Sequence, residues 1–259
     1  SYHEPSQGTG AVAVLVSDRP EVVALEPRAT GYHSFHAMDA YRPRVEREYV
    51  DADLSLLCYL ECLQGAFDDL VRKSPETDFL DSFDQLVMHT PFPGMVKGAH
   101  RMLMRRLGYA PDVDVNADYA RRVEPSTRYA AQIGNPYTAS VLFALASSIT
   151  HGSPRPGDHI GVFSYGSGCT SEFFQCTIGP EAGELIAAAG IDKALARRTR
   201  IDLPDYDELC VRRSPTGADT LKVDMAELAD FLSLVDTPFL ALTGITEHHR
   251  NYTWLNGDA

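Results

Sequence analysis

Hydrophobic positions along the chain fall into two spacings. Over residues 53–70 they recur every three or four residues, at Leu56, Leu57, Leu60, Leu63, Phe67 and Leu70. That spacing predicts an amphipathic helix, with Asp51 or Asp53 near its N-cap. Residues 11–16 form instead a continuous, Val-rich apolar run after Gly8 and Gly10. They predict a buried strand, with residues 21–25 as its neighbour across Asp18-Arg19-Pro20. Residues 160–164 and 172–178 flank a tight turn at 166–168, the pattern of a β-hairpin. Residues 79–87 predict a short helix or a helix-to-strand passage. His89-Thr90-Pro91-Phe92-Pro93-Gly94 interrupts regular helix because of its two prolines, and helical character resumes over 95–107. Gly134-Asn135-Pro136 predicts a turn, and residues 137–149 a small-residue helix buried on all sides. Residues 181–235 are largely helical in pattern, with polar linkers around 199–204 and 214–220, and residues 239–242 predict a last strand. Strands mixed with helices indicate an α/β fold.

Composition narrows the function classes. The 259 residues are 44% hydrophobic and 23% charged, an ordinary globular balance that suits one large or two small domains. The formal net charge of −13 argues against sequence-independent nucleic-acid binding and against docking on anionic lipid, though not against a local basic patch. The longest apolar runs fall far short of the roughly 20 residues that span a bilayer, and no signal-peptide pattern opens the sequence. The expected partners therefore include neither nucleic acid nor membrane. Five cysteines, an odd and sparse set without zinc-type spacing, indicate a reduced, cytoplasmic protein.

Several residues can carry chemistry. His89 ends an apolar segment and precedes a Pro-rich turn, a place from which an imidazole serves as acid, base or oxyanion donor, or simply as a buried hydrogen-bonded side chain. Asn135, before a proline at a helix start, can cap that helix or donate to a carbonyl oxygen. Ser164-Tyr165-Gly166-Ser167-Gly168 follows a strand; its small residues admit a ligand to the backbone or simply make a tight hairpin. It is neither a Walker A loop nor a dinucleotide fingerprint nor Gly-x-Ser-x-Gly. Cys169 opens a strand in this reading and is structural, and Cys58 and Cys62 are packing residues. His33, His36, His248 and His249 lack Cys or carboxylate partners at ligand spacing, so no metal is expected.

Taken in order, five stretches resemble one family. They are Gly8-Thr9-Gly10-Ala11-Val12-Ala13, Asp39-Ala40-Tyr41-Arg42-Pro43, the stretch from His89 through Gly94 to His100, Gly134-Asn135-Pro136-Tyr137-Thr138-Ala139-Ser140, and Gly161-Val162-Phe163-Ser164-Tyr165-Gly166-Ser167-Gly168. Together they resemble the 3-hydroxy-3-methylglutaryl-CoA synthase family over nearly the whole chain. The resemblance implies a thiolase-like layered α-β-α-β-α fold, of which this chain supplies the C-terminal part. Residues 1–30 would be the last strands of the N-terminal half, and 31–259 the C-terminal half with helical insertions.

The resemblance also implies an acyltransferase. An acetyl group held on a cysteine condenses with the ketone of a 3-ketoacyl thioester, and hydrolysis frees the new carboxymethyl branch. His89 matches the catalytic histidine, which polarises the acceptor and protonates the new alkoxide. Asn135 matches the acceptor-binding asparagine. Ser167, with the Gly166 and Gly168 backbone, matches the acyl and oxyanion loop, and Tyr137 and Ser164 are further substrate contacts. The family's nucleophilic Cys and general-base Glu precede the Gly8–Ala13 motif. They are expected from a partner chain or a segment outside these residues, which would leave this chain inactive alone. Gly94 stands where the CoA-dependent enzymes carry Lys. The pattern around it, with Glu172-Phe173-Phe174 and His248-His249-Arg250-Asn251-Tyr252, is similar to the branch that works on polyketide assembly lines. That branch implies donor and acceptor acyl carrier proteins as partners, a homodimer, and no cofactor beyond the phosphopantetheine that brings the thioester. Arg101, Arg105 and Arg106 are the candidate carrier-protein contacts. The alternatives are a CoA-dependent synthase and a non-catalytic half that binds a carrier protein.

Overall fold

The computed structural model describes residues 6–44, 47–109, 112–212, 220–226, 229–235 and 237–257. Its elements run β1 (Val23–Ser34), β2 (Ala40–Arg44), β3 (Arg47–Val50), α1 (Ala52–Lys73), β4 (Gln85–Met88), α2 (Pro93–Arg106), α3 (Val115–Arg122), α4 (Glu124–Ile133) and α5 (Ala139–Gly152). They continue with β5 (His159–Gly166), β6 (Thr170–Ile178), α6 (Ala182–Ala188), α7 (Ile191–Ala196), α8 (Leu203–Arg212), β7 (Leu221–Lys222), α9 (Ala229–Leu232), β8 (Phe239–Thr246) and β9 (His249–Leu255). Two compact units result, residues 1–41 with 49–192, and residues 42–48 with 193–259. β1 spans residue 30 within the first unit, with a shift in its register against β6 between Leu25 and Thr30.

The first unit is organised by a four-stranded sheet of order β1-β6-β5-β4. β5 and β6 form the expected hairpin, β1 adds antiparallel to β6, and β4 lies parallel to β5. Side chains alternate across a strand, so each sheet face collects its own core. On one face Leu86, Met88, Phe163, Tyr165 and Phe173 pack with Cys62, Leu63 and Phe67 of α1 and Val96 and Leu103 of α2. On the other, Val87, Ile160, Val162 and Cys176 pack with Val141, Ala144 and Ile149 of α5. β1 crosses α1 so closely that a Cβ on Gly31 would lie 2.1 Å from the Ala66 carbonyl oxygen, so the crossing requires glycine there.

α1 forms where its periodicity predicts, and Asp51 caps it by accepting the Leu54 N–H at 3.0 Å. Its buried face is Tyr59, Cys62, Leu63, Ala66, Phe67 and Leu70, whereas Leu56 and Leu57 are exposed. Four other expectations are corrected. Residues 11–16 are not a strand, and Val14, Leu15 and Val16 are 64%, 94% and 84% exposed. The run has apolar content but no partner strand among the described residues. Residues 79–87 hold turns followed by β4, with no helix, because Asp78 Oδ1 accepts the Leu80 and Asp81 N–H groups and sets a turn. Tyr137 stays outside α5 with a left-handed φ of 56°. Residues 239–242 open β8, which pairs with a further strand, β9. Of the proposed linker at 214–220, residues 214–219 lie outside the described residues. The second unit carries the three-stranded sheet β7-β8-β9. No helix among the described residues is long and apolar enough to cross a membrane.

One buried ionic knot ties the helical layer to the turns that precede β4. Asp118 accepts from His100 Nε2 at 2.8 Å and from Arg122 Nε and Nη2 at 2.7 and 2.8 Å. Arg122 Nη1 also donates to the Phe79 and Phe83 carbonyls. Burial would raise the Asp118 carboxyl, yet His100 and Arg122 hold it well below the usual carboxylate range. Removing the carboxylate strands a buried guanidinium, which costs about 3–5 kcal/mol. Asp118→Ala is therefore expected to lose ~3 kcal/mol or more of stability, read from urea unfolding with an unchanged m-value. A loss below ~1 kcal/mol contradicts this role.

Candidate active site

The parallel pair β4–β5 sends both strands out at the same end of the sheet, the end where open α/β sheets place ligands. His89 is the first residue beyond β4, and the 167–169 turn is the first beyond β5. The His89 backbone is clamped on both sides. Its N–H donates to the Phe163 carbonyl at 2.7 Å, and its carbonyl accepts the Tyr59 hydroxyl at 2.7 Å. The two prolines then release the chain into α2, with Pro93 at the first helical turn, where a missing N–H does no harm.

His89 is 6% exposed. Nδ1 lies 2.5 Å from the hydroxyl of Ser140, in the first turn of α5. The Tyr59 and Tyr165 rings flank it, with centroids 6.4 and 6.0 Å away. Burial without a carboxylate partner pushes the imidazole down to about 4, so it is neutral near pH 7.

Behind Tyr165 sits a buried carboxylate, Asp39. Oδ2 accepts the Tyr165 hydroxyl at 2.9 Å and the Ser55 hydroxyl at 3.1 Å, and Oδ1 accepts the Gly168 N–H at 2.8 Å. Burial opposes its ionisation, but these donors and the Ala40 N–H outweigh it and hold the carboxyl below its ordinary value. Gly168 (φ 84°) and Cys169 (φ 64°) turn the chain through left-handed backbone at this anchor. Two readings change. Cys169 closes the turn rather than opening β6. The Gly168 N–H is engaged by Asp39, which removes it as a free oxyanion donor. Burial raises the thiols of Cys58, Cys62 and Cys169, that of Cys58 to about 12, so they are protonated.

The other sequence-selected residues fall in three places. Asn135 accepts the Tyr137 N–H at 2.9 Å through Oδ1, and its backbone bridges Ser6 and Gly8 at 2.8 and 3.1 Å. Tyr137 is half exposed and accepts from Gln7 Nε2 at 3.2 Å. Ser164 and Gly166 lie in β5 opposite Glu172 and Thr170, and Ser167 is at the exposed turn tip. Arg101, Arg105 and Arg106 line an exposed groove on α2 with Gly98 and Met102. None of the three has an ion-pair partner among the described residues. No cluster of three His, Cys, Asp or Glu side chains able to hold a metal occurs among them either. Tyr59, Ser140 and Tyr165 contact His89 but were not selected from the sequence. Ser140 and Tyr165 lie in the flanking motifs, whereas Tyr59 lies within α1 but not among the apolar positions of its stripe.

The fold and the sequence both have known relatives. The fold matches the curacin-pathway HMG synthase with a TM-score of 0.91 at 40% identity, over 97% of this chain and 63% of that one. It matches MvaS in complex with 3-hydroxy-3-methylglutaryl coenzyme A with a TM-score of 0.80 at 30% identity, over 98% and 63%. The chain thus has a thiolase-like α/β fold. In sequence, the profile for the C-terminal region of hydroxymethylglutaryl-coenzyme A synthase matches residues 23–114 and 112–253, and the chain belongs to that family. It is 40% identical to the polyketide biosynthesis 3-hydroxy-3-methylglutaryl-ACP synthase PksG of Bacillus subtilis, over 99% of this chain and 62% of the relative. It is 33% identical to the hydroxymethylglutaryl-CoA synthase of Enterococcus faecalis, over 96% and 61%. The chain therefore spans under two thirds of the length of these relatives.

The burial of His89 has a pH consequence. Its folded value of about 4 lies below the ordinary 6.5, so the unfolded chain binds more protons between these values. Its contribution to stability is complete above pH ~6.5 and is lost as pH falls through ~4. An NMR titration of the His89 ring is expected to show a midpoint near 4; a midpoint near 6.5 contradicts the burial argument.

Proposed function

We propose that this chain supplies the acceptor side of a β-branching synthase of the hydroxymethylglutaryl type, acting on carrier-protein thioesters. The supporting observation is the gradient of likeness: 40% identity to the ACP-dependent PksG against 33% to the Enterococcus faecalis CoA enzyme, each over nearly the whole chain. The curacin-pathway enzyme, matched at a TM-score of 0.92, has been solved in complex with its acetyl donor-ACP.

In this reading a nucleophilic Cys and a base Glu, supplied from outside these 259 residues, hold and deprotonate the acetyl thioester. The resulting enolate carbon attacks the ketone of a β-ketoacyl group, forming the carbon–carbon bond. His89 meets the ketone oxygen as negative charge develops there, in a site where a fixed donor is worth about 3 kcal/mol. Water then cleaves the acyl–cysteine bond, freeing the carboxymethyl branch and the thiol. Asn135, Tyr137, Ser164, Gly166 and Ser167 line the path of the acyl and pantetheine groups. Gly168 holds the turn through Asp39. Arg101, Arg105 and Arg106 present three cations on one face of α2 to an acidic carrier protein. The synthase works as a homodimer, and phosphopantetheine enters as part of the substrate.

The test is a condensation assay of the full enzyme with acetoacetyl-carrier protein against acetoacetyl-CoA. A carrier preference of about tenfold or more in kcat/KM is expected, and a strong CoA preference overturns the reading. Charge reversal of the three arginines together is expected to raise KM for the carrier-bound acceptor about tenfold, more at low salt, with kcat little changed. An unchanged KM removes α2 from the carrier contact.

A further inference from the structure

We infer that Ser140 is a positioning residue that fixes His89 as the Nε2–H tautomer, so that the ring meets its substrate as a hydrogen-bond donor and not as a base. The inference deepens the reading proposed above and rests on it for the identity of the substrate oxygen.

The hydrogens available at Ser140 and His89 fix the direction of their hydrogen bond. A serine hydroxyl has one hydrogen to give and two lone pairs to accept with. Ser140 Oγ accepts the Thr90 N–H at 3.3 Å and lies 2.5 Å from His89 Nδ1. Ser140 is fully buried, and among the described residues Nδ1 is the one acceptor within reach of its hydroxyl hydrogen. Were Nδ1 protonated, two hydrogens would point at each other or the serine hydrogen would be left buried without a partner. The hydroxyl therefore donates to Nδ1, and the single proton of the neutral imidazole sits on Nε2.

The surroundings agree. The groups packed round the ring are the Tyr59 and Tyr165 phenols, both pushed upward by burial and so neutral donors. Tyr59 gives its proton to the His89 carbonyl and Tyr165 to Asp39 Oδ2, so neither competes for Nδ1. The nearest carboxylate in this network, Asp39, is one hydroxyl removed and does not touch the ring. Nε2 has no hydrogen bond among the described residues, which leaves its N–H for a ligand. The same backbone clamp that fixes His89 also fixes Thr90, so strand end and helix start lock one ring orientation together.

The tautomer is read directly by long-range 15N–1H correlation on protein labelled at its histidine ring nitrogens, with His89→Gln assigning the signal. The expected pattern is an unprotonated Nδ1 and a protonated Nε2, kept in Ser140→Thr and replaced by a mixture in Ser140→Ala. In the condensation assay Ser140→Ala is expected to lose about tenfold or more in kcat with KM nearly unchanged, and Ser140→Thr to recover most of it. A protonated Nδ1 in the wild-type protein overturns the inference whether or not any variant folds. So does a Ser140→Ala protein that keeps the tautomer and full kcat. The spectrum needs no substrate, so a failed carrier-protein assay with the expected tautomer rejects the proposed reaction and leaves the role of Ser140 standing.

Discussion

The parallel pairing of β4 with β5 is the constraint on which the site depends. Met88 stands beside Phe163, so the next residue, His89, emerges where its N–H meets the Phe163 carbonyl. Nothing in the imidazole itself selects that position; the ladder register does. Tyr59 from α1 closes the other side of the same peptide, and Ser140 from α5 takes the ring. Three elements far apart in the chain thus converge on one residue. The cores on both sheet faces hold them there, since α1 packs on one face and α5 on the other.

A second fixed point is Asp39. A buried carboxylate is costly to hold charged, and this one is stabilised by donors from separate segments: Ser55 on α1, Tyr165 on β5 and the Gly168 turn. It couples the turn to the aromatic wall of His89 through Tyr165. The turn's left-handed residues cannot settle into regular strand, and the Asp39–Gly168 bond replaces the ladder bond they forgo. The result is a buried His89 ring flanked by uncharged hydroxyl-bearing side chains, Tyr59, Tyr165 and Ser140, with the Asp39 carboxylate one hydroxyl removed from it.

The sequence made part of this legible. The β5–β6 hairpin followed from two apolar runs about a Gly-rich turn, and α1 from its periodicity. His89 stood out because two prolines after it end the regular structure. What failed has a physical reason in each case. Residues 11–16 have the content of a buried strand, but burial depends on a partner that composition does not name. Leu56 and Leu57 extend the stripe of α1, yet the sheet covers the helix only from Cys58 onward. β9 is exposed along nearly all its length, so no buried face distinguishes it. Ser140 sits in an apolar small-residue helix, where a serine reads as packing. Its role depends on a contact with a residue 51 positions away. Asp39 was visible as part of a motif, but its link to Gly168 spans 129 positions.

The central claim is that the carboxyl end of this sheet presents a neutral imidazole N–H to a carrier-bound acyl ketone. A crystal structure of the full enzyme with a non-reactive β-ketoacyl carrier protein tests it most directly. The account predicts the ketone oxygen within hydrogen-bond distance of His89 Nε2, about 2.7–3.2 Å, with the carrier protein seated on the α2 face. A thioester bound elsewhere, or a ketone held by other donors with His89 turned away, would contradict it.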